Sequence, residues 1–72
     1  MTRVDLIMAA VDDSPGMSWE FAAYAANSAW DTIERERGQS LATLTQDEAM
    51  SARIGIRDAY LAILTGLFLN LI

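Results

Sequence analysis

A 72-residue chain with ten acidic side chains, five basic ones and a net charge of −5 is one domain at most, residues 1–72, and a lone core of that size is marginal. Cysteine and histidine are both absent, which excludes disulfides, thiolate and imidazole metal sites, and any side chain that titrates near neutrality without perturbation. The acidic balance disfavours nucleic-acid backbones and anionic membrane surfaces alike, and a hydrophobic fraction of 53% leaves partner chains as the remedy for the small core.

The first segment, MTRVDLIMAAVDD, is interrupted by Asp5, lacks a basic cluster and stops at two aspartates, so it does not read as a signal peptide and a cytoplasmic location is the expectation. Thr2 with Asp5 three residues on forms a capping-box pattern, with Asp in place of the usual Glu, and predicts a short helix over 3–12. Asp12 to Gly16 (DDSPG) is a turn, because proline restricts Ser14 and Gly16 accepts positive φ. Ser18 caps a second predicted helix over 19–37, which Gly38 ends. At 100° per residue, Trp19, Phe21, Ala22, Ala25, Ala26, Ala29, Trp30 and Ile33 share one arc of this helix, alanine at the middle and aromatic at the edges. Thr45 with Glu48 is a proper capping box for a third helix, from 46 to about 70. No period-two run or hairpin signal occurs. The fold class is all-α: a small three-helix unit, one helix short and two long, expected to assemble as a helical-bundle homo-oligomer.

The third helix carries two contrasting faces. Ser51, Gly55, Ala59, Ala62 and Gly66 form a narrow small-residue stripe, expected to pack closely on Ala22, Ala26 and Ala29 of the second helix. The glycines call for such a reason, since each costs about 1 kcal/mol in a helix interior. Opposite lies a broad face of Ile56, Tyr60, Ile63, Leu64, Leu67, Phe68 and Leu71, which the short first helix cannot cover. The run Ala59–Ile72 holds 14 residues without a charged side chain, against the roughly 20 of a membrane span, so insertion in a membrane is not expected. An exposed patch of this kind marks an interface, and a two-fold dimer is the favoured expectation.

Catalytic constellations are thin. Serines have neither histidine nor lysine to activate them, and the bundle di-iron motif needs a Glu-x-x-His that is missing. Asp31 and Glu34, one turn apart, are a weak candidate for a hard cation, with a solvated helix face as the ordinary explanation. No phosphate-binding glycine loop occurs. No catalytic, cofactor or metal site is therefore expected. Trp19, Tyr24 and Trp30, with Asp31 and Glu34, are candidates for contact with a foreign protein, because tryptophan and tyrosine dominate such sites; the ordinary explanation for the tryptophans is a sealed core edge. In size and composition the chain resembles small proteins encoded by bacteria and their phages. The expected function is non-enzymatic protein–protein binding, as adaptor, inhibitor or small subunit. The alternatives are an assembly component docking through its apolar third helix, or an acidic mimic of nucleic acid.

Overall fold

Three local devices set where the helices begin. In the computed structural model, which describes residues 1–70 apart from the side chain of Phe68, the Asp5 amide donates to Thr2 Oγ1 at 3.2 Å while the Thr2 amide donates to Asp5 Oδ2 at 3.1 Å. That reciprocal box starts α1, Arg3–Asp13. Ser18 Oγ accepts from the Phe21 amide at 3.1 Å and starts α2, Trp19–Arg37. Thr45 and Glu48 repeat the box, at 3.2 and 3.0 Å, ahead of α3, Gln46–Asn70. α2 stops at Gly38, whose φ of 70° is open to glycine without a Cβ penalty. The all-α, three-helix reading of the sequence holds, with α1 one residue longer than predicted.

The helices pack through small side chains. Among the described residues the buried core is Leu6 and Ala10 of α1, Ala22, Ala26 and Trp30 of α2, Ala49, Ala52 and Ile56 of α3, with Met17 and Leu44 closing the two ends. Half of these positions are alanine, so the backbones approach closely around Leu6 and Trp30, the two largest fully buried side chains. The spacings Leu6–Ala10, Ala22–Ala26–Trp30 and Ala52–Ile56 are all one helical turn. Nonlocal ties fix the arrangement. Arg53 of α3 donates from Nε and Nη2 to the two carboxylate oxygens of Asp13 at 2.8 and 2.6 Å, and Leu44 exchanges backbone hydrogen bonds with Met1.

The rotation of α3 differs from the sequence expectation. Its inward face is Ala49, Ala52 and Ile56, followed by half-buried Tyr60. Ile56 and Tyr60, read above as outer-face residues, therefore belong to the chain's own core. Ser51, Gly55, Ala59 and Ala62, read as the close-packing stripe, are exposed. A Cβ placed at Gly55 or Gly66 would meet no neighbouring atom within 4 Å. Small-residue packing does occur, but Ala49 and Ala52 supply it from α3, in one buried cluster with Ala22 and Ala26 of α2. Moving the inward face from Gly55 to Ile56 turns the helix by about 100°. That turn puts an aliphatic side chain in the core in place of a glycine and brings Arg53 to Asp13.

α3 also outruns its support. At 25 residues it is about 37 Å long, against about 28 Å for α2, and the molecule extends 44 Å along its long axis. Beyond Tyr60 no described side chain of α3 is buried.

Candidate functional site

Among the described residues, Val4 and Met8 of α1 and Met50 and Ile54 of α3 are exposed, and two further apolar surfaces adjoin each other. The first is the distal part of α3. Leu61, Ile63, Leu64, Leu67 and Leu69 are each between 43% and 63% exposed. At 100° intervals these five positions surround the helix, so no single face of it is turned to water. A helix apolar on all sides is ordinarily buried in something larger. Among the described residues no helix is long and apolar enough to cross a membrane. Phe68 by its side chain, and Leu71 altogether, lie outside the described residues.

The second surface is a groove of about 310 Å³ between α2 and α3. Phe21 and Tyr24 form one wall, Ile56 and Ile63 the other, and Ala25, Ala29, Ala52, Gly55 and Ala59 lie between them with Ser28. None of these side chains is charged. Phe21 and Tyr60 pack with ring centroids 5.6 Å apart at a tilted angle, which holds the Phe21 wall upright. Tyr24 is 74% exposed, so most of its ring stands free above the groove. Ile63 lines the groove and also belongs to the distal segment, joining the two surfaces.

The residues considered for contact with a foreign protein separate. Trp19 and Tyr24 are exposed, but Trp30 is fully buried, with its indole N–H donating to the Leu41 carbonyl at 3.3 Å. Trp30 is thus core, and the edge position assigned to it from the helix arc is corrected. Asp31 and Glu34 are occupied within the chain. Arg3 Nη2 meets Asp31 Oδ1 at 2.7 Å and Glu34 Oε1 at 3.1 Å, its Nη1 donates to Asn27 at 2.9 Å, and its guanidinium carbon lies 5.3 Å from the centre of the Trp30 ring. Glu34 also accepts the Leu41 amide at 2.7 Å. Sequence reasoning missed this cluster, and it could not have found it, because the charge on Arg3 carries no mark of a partner 28 residues away. The groove was missed because it exists only once α3 is correctly turned. Leu61 and Leu69 were missed because a one-sided face was sought where the run is apolar throughout.

Charge chemistry elsewhere is structural. Hydrogen bonds from Arg53 hold the Asp13 carboxyl below its ordinary value, and Asp13 in turn raises Arg53. The backbone amides of Thr45 and Thr2 do the same for Glu48 and Asp5 as capping acceptors. Among the described residues no group of three or more acidic side chains is placed to hold a metal ion. Comparison with protein families, with characterised proteins and with solved structures returns no match for this chain.

Proposed function

We propose that this protein acts without catalysis, by binding other polypeptide chains through the distal part of α3. The observation that carries the reading is the row of large aliphatic side chains, Leu61 to Leu69, that projects past the three-helix body with every face partly open to water. Water-exposed aliphatic area is costly at about 25 cal/mol per Å², and an uncovered patch of this kind marks a contact surface on a small protein. Protein contact suits the chemistry of the segment, which offers side chains that pack and none that carry charge. Trp19 and Tyr24 add exposed aromatic surface on the adjoining helix.

The reading as an assembly component that docks through α3 draws on the same exposed segment. The two differ in outcome: a closed complex has a discrete mass, whereas an open assembly grows with concentration. The acidic mimic of nucleic acid draws less support, because Asp13, Asp31, Glu34 and Glu48 are already engaged by arginines. A photo-crosslinking residue at Leu64, set against one at Glu36 on α2, tests the proposal in the cell. Adducts of protein mass from position 64 that are missing from position 36 are expected. Equal labelling from both positions, or lipid adducts alone, would overturn it.

A further inference from the structure

We propose that residues 39–44, between α2 and α3, form a strap closed over Trp30, and that the strap opens as one unit together with the contacts of Met1 and Arg3. The strap is attached at two points. At the first, two α2 side chains hold both backbone groups of Leu41: Glu34 Oε2 accepts its amide at 2.7 Å, and the Trp30 indole N–H donates to its carbonyl at 3.3 Å. At the second, the Leu44 amide donates to the Met1 carbonyl at 2.9 Å, and the Leu44 side chain is buried. Gln39, Ser40, Ala42 and Thr43, the remaining residues of the strap, are exposed.

Both attachments lead back to the start of α1. Met1 holds Leu44 directly. Arg3 holds Leu41 through Glu34, whose Oε1 meets Arg3 Nη2 at 3.1 Å while its other oxygen takes the Leu41 amide, so one carboxylate bridges α1 and the strap. The Arg3 and Glu34 side chains are only 38% and 20% exposed, which shields their contact from water and strengthens it. Arg3 also lies over the ring of Trp30, the other residue that grips Leu41. Leu41 and Leu44 are three residues apart, a reach of at most about 10 Å, so neither can swing away far while the other stays attached. The limits of the strap are local devices that survive its opening: Gly38 ends α2, and Thr45 with Glu48 starts α3. Opening therefore frees a short segment and lets water reach Trp30, the largest fully buried side chain among the described residues. Local openings of this kind, well short of global unfolding, are how proteins expose buried groups. The device is independent of the contact role given above to α3.

The test is amide hydrogen exchange of the full chain in a series of low urea concentrations, read at Leu41, Leu44 and Ala26. In the parent, Leu41 and Leu44 should show the same protection and the same shallow dependence on urea, while Ala26 is better protected and responds more steeply. Arg3→Met keeps an apolar stem and removes the guanidinium. It should speed exchange by about tenfold at Leu41 and by the same factor at Leu44, although Arg3 makes no hydrogen bond to Leu44 or Met1. Arg37→Met removes a contact with Glu48 that lies outside the strap and stays made when it opens, so it should leave both strap amides at the parent's rates. Unequal protection or unequal urea slopes at Leu41 and Leu44 in the parent would overturn the single unit, and that measurement needs no variant to fold. Faster exchange at Leu41 alone in Arg3→Met would reduce Arg3 to a local contact. Acceleration of both amides by Arg37→Met as large as by Arg3→Met would show unfolding of the whole chain in place of a strap.

Discussion

Asp13 and Arg53 join α1 to α3 by two parallel hydrogen bonds across 40 residues of sequence, a geometry in which charge and planarity reinforce each other. Because the pair draws the Asp13 pKa down, and the caps draw down Asp5 and Glu48, the sign of the pH dependence follows. A carboxylate whose pKa is depressed by folding stabilises the folded chain above its unfolded value, and that contribution is lost as pH falls through the folded value. Stability should therefore be steady above about pH 5 and decline from the ordinary values of 4.5 for Glu48 and 3.8 for the aspartates downward. Asp13→Asn should lower the melting temperature near pH 7 and make the acid decline shallower. Thermal melts of parent and variant at about pH 7 and about pH 3 check this. Parallel pH profiles would show that the pair contributes nothing.

At the scale of single helices, the distal part of α3 is an extension of a body already complete at Tyr60. Leu67→Asp makes this measurable. Leu67 is 57% exposed, so the aspartate can stay hydrated in a lone chain, and the variant's stability at about 1 µM should match the parent within about 0.5 kcal/mol. Its association at higher concentration should be lost, because the same charge would be desolvated in an interface. Denaturant titration in the dilute regime reads the first effect, and unfolding there would place Leu67 in the chain's own core.

Much of this helical architecture was legible in the sequence for a physical reason. Thr2 with Asp5, Ser18, Gly38, and Thr45 with Glu48 act on amides and carbonyls within a few residues of themselves, so their spacing alone announces the helix ends. The alanine arc of α2 was legible too, because polar residues bound it on one side. The rotation of α3 was not. That helix is apolar almost all round beyond Asp58, so periodicity chooses no side there, and its position is set by the contacts of Arg53 with Asp13 and of Tyr60 with Phe21. The candidate site inherited the error. Ile63, Leu64 and Leu67 were found from the broad large-residue face, whereas the groove awaited the true orientation of Gly55 and Ala59.

For the whole molecule, 72 residues and an alanine-rich core leave little aliphatic area buried within one chain, and such chains commonly draw stability from association. A second copy that binds only the folded form adds stability by mass action, in proportion to the logarithm of its concentration. The central claim is that another polypeptide chain covers the distal part of α3, and a second copy is the partner that a purified sample can test. Amide hydrogen exchange at about 1 and about 100 µM addresses it most directly. Amides from Leu61 to Leu69 should exchange rapidly in the dilute sample and gain at least tenfold protection in the concentrated one, well beyond any change at Leu6 and Trp30. Exchange along 61–69 that is the same at both concentrations would contradict a second copy of this chain as the covering partner.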